Sequence, residues 1–129
     1  MAKSKDNTSK GPTRSKLAEQ VLYQRYLHKN EYGDVAETPK EMYWRVATAV
    51  AGAEGDYKAK QEDIKRLAKR FYRLMAGGQF LPNSPTIMNA GRDNGMCLSA
   101  CFVLPVEDSI DGIFEAVKQT AQVQKAGGG

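Results

Sequence analysis

Two adjacent glycines, Gly77 and Gly78, divide the chain into stretches that cannot share one kind of backbone. Before them, apolar residues recur every three or four positions. Ile64, Leu67, Ala68, Phe71 and Leu74 form one stripe of a helix over "KQEDIKRLAKRFYRLMAGGQF", and the glycine pair stops it. The stretch "ETPKEMYWRVATAVAGAE" opens with Thr38 as N-cap, Pro39 at the first helical position and Glu41 at the third, a capping-box pattern. Met42, Val46, Ala49 and Val50 continue it at helical spacing, and Gly52 and Gly55 weaken its end. A shorter helix is predicted from Leu17 through Val21, Tyr23, Tyr26 and Leu27 to about "KNEYGDV", where Gly33 reads as a turn. Trp44, Phe71, Tyr72 and Met75 read as core side chains and His28 as a solvated helix residue. Residues 17–78 are thus a helical region without a catalytic constellation.

After Gly78 the texture changes. "FLPNSPTIMNAGRDNGMCLSAC" is dense in Pro, Asn and Gly and reads as an ordered loop. "SACFVLPV" is a short, consecutively apolar run closed by Pro105, the pattern of a buried strand. "EDSIDGIFEAVKQTAQVQ" is a helix capped by Asp108 or Ser109, with Ile110, Ile113, Phe114, Val117 and Ala121 on one face. "KAGGG" is either a flexible terminus or the start of a glycine-rich loop. The fold class expected is mainly α with a short β element.

Charge and hydropathy exclude several functions. The net charge of +4 resides in residues 1–16, where Lys3, Lys5, Lys10, Arg14 and Lys16 outnumber Asp6, and the rest of the chain is balanced. That segment cannot bury apolar area and is expected to be a disordered basic tail. The body offers no basic excess, so nucleic acid is not expected as the main partner. No apolar run approaches the roughly 20 residues a bilayer span needs, and no apolar core marks a secretory leader. A cytoplasmic location with reduced thiols follows as the expectation.

The chain has two cysteines, Cys97 and Cys101, and one histidine, His28. Structural zinc takes four Cys or His ligands, so no metal site is expected. Four residues of extended strand span about 13 Å, whereas a disulfide needs Cα atoms roughly 4.4–6.8 Å apart. A bend near Leu98 could close that gap. A nucleophilic cysteine needs a neighbouring base, and the histidine is far away in sequence. Each cysteine can also be a small buried hydrophobe.

The stretch "FLPNSPTIMNAGR…LSACFVLPVEDSIDGIFEAVKQTAQVQKAGGG" closely resembles the N-terminal portion of class II, adenosylcobalamin-dependent ribonucleotide reductases. "ETPKEMYWRVATAVA" through "FYRLM" is similar to the helical region that precedes the catalytic barrel in that family. The resemblance covers roughly residues 17–129. It implies that residues 79–129 begin a ten-stranded α/β barrel, incomplete here, with "SACFVLPV" as its first strand. It further implies that Cys101 is a reducing cysteine, oxidised to a disulfide with a partner on a later strand as the ribose 2′-carbon is reduced. Thr86, Ser84 and Ser99 would neighbour the substrate phosphates, and Ala126 and Gly127 would lie along the substrate nucleoside. Asp108 and Ser109 would contact an allosteric dNTP or ATP effector at a homodimer interface built partly by the helix over 108–124. Cys97 acquires no role.

The resemblance implies adenosylcobalamin and a thioredoxin-type reductant for the complete enzyme, but no corrin-binding residue in this stretch. The 129-residue piece is expected to be inactive alone and to belong to a longer or split reductase chain. Two other readings stay open: a non-catalytic regulatory or interaction module built on the helices, and a large-subunit fragment of a diiron-dependent class I reductase.

Overall fold

The computed structural model describes residues 14–129; most of the basic tail lies outside them. Five α-helices follow one another: α1 (Lys16–Val21), α2 (Pro39–Gly52), α3 (Gln61–Ala76), α4 (Ser84–Asn89) and α5 (Ile110–Lys125). Ser15 caps α1 by accepting from the Ala18 amide at 3.1 Å. The helix then widens into a π-helical turn over Leu22–Tyr26.

This first helical run ends at Tyr26, earlier than its apolar spacing predicts. Leu27 turns extended and buries its side chain, and Lys29 pairs with Val35 in a single antiparallel bridge. The Asn30 side chain closes that turn by accepting from the Tyr32 and Asp34 amides. His28 is therefore exposed beside that bridge and not helical.

The α2 start is as its sequence predicts. Thr38 accepts from the Glu41 amide, and the Glu41 carboxylate accepts from the Thr38 amide at 2.7 Å. Such a box holds two amide hydrogens that an α-helix start would otherwise leave unpaired. α2 packs mainly on α3. The core gathers Met42, Tyr43, Val46 and Ala47 of α2 with Met75, Leu27, Ile87 and Ala90. Trp44 departs from its expected core place: it is 45 % exposed and sets its ring edge-on against Tyr72, 5.6 Å between centroids. It sits between buried Tyr43 and half-buried Arg45, on the side of α2 turned from the core.

Two differences follow Gly78. The expected loop contains α4, whose N-cap Asn83 accepts from the Thr86 amide and which carries Pro85 in its first turn. Asn before a Ser-Pro pair is a legible helix start. The expected strand over 99–106 is absent among the described residues, and its side chains are not buried: Phe102 is 41 % and Val103 98 % exposed. A strand exists by pairing with neighbours, and the described residues supply one pairing position. The Gly129 amide donates to the Ala100 carbonyl at 2.9 Å, and the Gly129 carbonyl accepts from the Phe102 amide at 2.8 Å. Those two bonds bracket Cys101, the pattern of a parallel bridge.

α5 packs extensively on none of the other helices described. Its Ile110, Ile113, Phe114 and Val117 face is open, while Ala116 is buried. No helix of the described residues is long and apolar enough to cross a membrane.

Candidate functional site

The site is assembled on α4. At six residues this helix is too short to persist on its own hydrogen bonds. The core holds it through Ile87 and Ala90, which are 4 % and 1 % exposed. Arg45 of α2 holds it electrostatically, donating through Nη1 to the Ala90 carbonyl and through Nη2 to that of Ile87 at 3.4 Å. Gly91 follows in a left-handed conformation, φ +74°, against the Arg45 side chain; a Cβ there would meet Arg45 Cγ at 2.7 Å. The "NAGR" run thus has a structural reason at each of Ala90, Gly91 and Arg92.

Arg45 is itself fixed by Glu37, with Nε at 2.7 Å from Oε1 and Nη2 at 3.0 Å from Oε2. Arg92 approaches the same carboxylate at 4.0 Å and donates to the Tyr26 carbonyl at 2.8 Å, leaving its buried Nε without a partner. Burial alone would raise the Glu37 carboxyl. Hydrogen bonds from Arg45 and the His28 amide, with the charges of Arg45 and Arg92, outweigh it and hold Glu37 below the ordinary carboxylate range. Desolvation and the neighbouring Arg45 charge lower Arg92 despite the Glu37 attraction. A groove of about 830 Å³ passes over this cluster, lined by Arg25, His28, Trp44 and Arg92 among others. It is not lined by Cys101 or by any hydroxyl expected at the phosphates.

From the seated α4, two side chains reach the segment that carries the cysteines. Asn89 Nδ2 donates to the Cys97 carbonyl at 3.0 Å, and Thr86 Oγ1 donates to the Leu98 carbonyl at 2.8 Å. Thr86 Oγ1 also lies against Asn83 Oδ1, so one hydroxyl hydrogen faces two acceptors. The glycine-rich end holds the same segment from another side. The Cys97 amide donates to the Ala126 carbonyl at 2.9 Å, beside the Gly129 pairing around Cys101. Gly127, at φ +88°, makes the turn between α5 and that pairing.

Thr86, Cys101, Ala126 and Gly127 are therefore joined through one backbone segment, with Ser99 exposed within it. Ser84 lies apart, its hydroxyl 2.8 Å from the Tyr26 hydroxyl. Both cysteines are free; Cys101 is exposed, and Cys97 donates its thiol to the Ser99 carbonyl at 3.2 Å. Leu98 and Ala100 are bends, so the segment is not uniformly extended. Ser109, not Asp108, caps α5, accepting from the Gly112 amide at 3.0 Å. No metal-ligating group of three His, Cys, Asp or Glu side chains exists among the described residues. Asn89, Glu37 and Arg45 had no signal in composition or spacing, since each acts on a partner from another element.

The ring of Phe102 lies against Gly128, where a Cβ would meet it at 2.5 Å and the Val123 side chain at 2.9 Å. Neighbouring side chains of an extended segment point to opposite faces. With Phe102 under the end of α5, Cys101 belongs to the face turned from that helix.

The helical layer with α4 seated on it defines the class. The family described as "Ribonucleotide reductase, all-alpha domain" matches residues 13–95, and the chain belongs to it. It is 48 % identical, over 84 % of its length, to a vitamin B12-dependent ribonucleoside-diphosphate reductase of Mycobacterium tuberculosis. It is 35 % identical, over 87 % of its length, to the protein of that name from Thermoplasma acidophilum. Across 74 % of its length it is 38 % identical to a ribonucleoside-diphosphate reductase large subunit of Trypanosoma brucei brucei. The matched regions are 15 %, 21 % and 10 % of those relatives, so the chain spans a small part of their length.

Proposed function

We propose that this chain is the N-terminal portion of a class II ribonucleotide reductase and that Cys101 is one of its two reducing thiols. The observation that carries the reading is the parallel pairing of Cys101 with Gly129 across α5. Segment, helix and parallel return form the opening unit of a sheet whose strands all run one way. The segment around Cys101 is the first strand of the barrel, and Cys101 faces the interior. The 48 % identity to the vitamin B12-dependent relative of Mycobacterium tuberculosis, against 38 % to the Trypanosoma brucei brucei large subunit, supports the cobalamin-dependent class over the diiron class. The vitamin B12-dependent names of the Mycobacterium tuberculosis and Thermoplasma acidophilum relatives support adenosylcobalamin as the cofactor of the complete enzyme.

In the reaction, the 2′-hydroxyl of a ribonucleotide leaves as water and a hydrogen takes its place. Two thiols supply two electrons and two protons and become a disulfide. Cys101 is one of them, and its partner lies outside this stretch. Thr86, Ser84 and Ser99 contact the substrate phosphates, and Ala126 and Gly127 border the nucleoside. Asp108 and Ser109 meet a dNTP or ATP effector beside the open face of α5, which pairs with a second copy. A thioredoxin-type protein resets the disulfide, and the location is cytoplasmic.

The test is deoxyribonucleotide formation by the full-length polypeptide carrying Cys101→Ser or Cys97→Ser. Cys101→Ser should lower turnover at least about a hundredfold, equivalent to about 2.7 kcal/mol in barrier, while Cys97→Ser stays within a few-fold. Retained turnover in Cys101→Ser would overturn the assignment.

A further inference from the structure

We infer that Asn89 is a positioning residue for Cys101, resting on the reading of Cys101 as a reducing thiol. The seven residues between Asn89 and Cys97 are tied to the helical layer at Ala90 and Arg92, before the cysteine segment begins. They contain Gly91 and Gly95, both in left-handed conformation, and no regular element. The pairing to Gly129 ties Cys101 to α5 and not to the helical layer. What registers the cysteine segment on that layer is a pair of side-chain bonds from α4 to consecutive carbonyls, Asn89 to Cys97 and Thr86 to Leu98.

Of the two, Asn89 is built for this task. Its Oδ1 accepts from Asn94 Nδ2 at 3.2 Å, and Asn94 Oδ1 accepts from the Met96 amide at 3.1 Å. The two asparagines thus close the loop on itself and aim the remaining donor at the Cys97 carbonyl. A carboxamide offers donor and acceptor together on a short stem. A carboxylate of the same shape would place oxygen against the Cys97 carbonyl and repel it. The clamp acts four residues before Cys101, with no contact to the thiol, so it sets where the sulfur sits and not what the sulfur can do.

The experiment compares the full-length polypeptide with its Asn89→Asp variant, reading kcat, KM and the rate at which iodoacetamide alkylates Cys101. Removal of one positioning hydrogen bond should lower kcat about tenfold, leave KM within about twofold, and change Cys101 alkylation several-fold. Native values of kcat and alkylation would overturn the inference. So would a KM that rises while kcat holds, which would make Asn89 a substrate contact. If Asn89→Asp loses its cooperative thermal transition, Asn94→Ala, which frees the amide but keeps the donor, must shift kcat and alkylation in the same direction by less; unchanged values overturn the proposal. Cys101→Ser with retained turnover would remove the catalytic reading alone, because the alkylation comparison is made on native Cys101 and stands without it.

Discussion

Cys101 and Gly129 face each other in parallel register: both backbone polar groups of Gly129 are bonded to the residues flanking Cys101. In such a pairing the amide and carbonyl of Cys101 itself point away from Gly129. The cysteine therefore sits at a point where one neighbour is present and a second edge is open for another. The glycine-rich end is what makes the approach close enough.

That closeness can be tested at Gly127. Its φ of +88° is costly for any residue with a Cβ, about 1–2 kcal/mol, and a Cβ there would also meet Met96 Cε at 2.8 Å. Gly127→Ala should speed hydrogen exchange at the Phe102 and Gly129 amides while leaving α2 and α3 amides unchanged. Unaltered exchange at those two positions would show that the turn does not govern the pairing.

Glu37 gives a pH-dependent prediction. Its side chain is 8 % exposed and shared by two arginines. Because folding lowers its pKa, its contribution is fully present above the ordinary value of 4.5 and disappears as pH falls through the lower folded value. Glu37→Gln should cost about 3 kcal/mol near neutrality. The gap in urea unfolding free energy between the two proteins should narrow as pH drops below 4.5. A gap independent of pH would mean that packing, and not charge, is what Glu37 supplies.

Ser109 and Asp108 should separate cleanly. Ser109→Ala removes the α5 cap and should lower stability by about 1 kcal/mol, visible in helical circular dichroism on denaturation. Asp108→Asn removes no cap and should leave that transition in place. The effector role proposed for Asp108 further requires that Asp108→Asn in the full-length polypeptide weaken the response of substrate choice to added dNTP. An α5 transition that moves with Asp108 and not with Ser109 would reverse the assignment.

Met42 is fully buried between α2 and its neighbours, and Val103 is 98 % exposed. Met42→Ala should cost about 3 kcal/mol, and Val103→Ala in the 129-residue chain less than about 0.5 kcal/mol. Urea midpoints of the two variants check both values.

What could be read from residues alone was what a few neighbouring residues decide. Thr38 with Glu41, and Gly77 after a helical stripe, act within one turn, so α2 began and α3 ended where expected. α4 was legible too, in Asn83, Ser84 and Pro85, but the density of turn formers around it masked the cap. The strand expected at "SACFVLPV" failed for the opposite reason: apolar continuity says that a segment wants partners, and among the described residues only Gly129 answers. Arg45 carried no signal at all, since its meaning depends on Glu37 at one end and the α4 carbonyls at the other. The role given to Cys101 came from family resemblance; its spacing from Cys97 left several chemistries open.

The Arg45 bonds to α4 have a mechanical consequence. A helix of six residues transmits whatever holds it, and here it is held by a guanidinium anchored on Glu37. Alignment of the cysteine segment is thus inherited from a charge pair in the helical layer, far upstream in the chain. Damage to that pair should therefore be felt at Cys101 as misalignment, in addition to the stability it costs the helical layer.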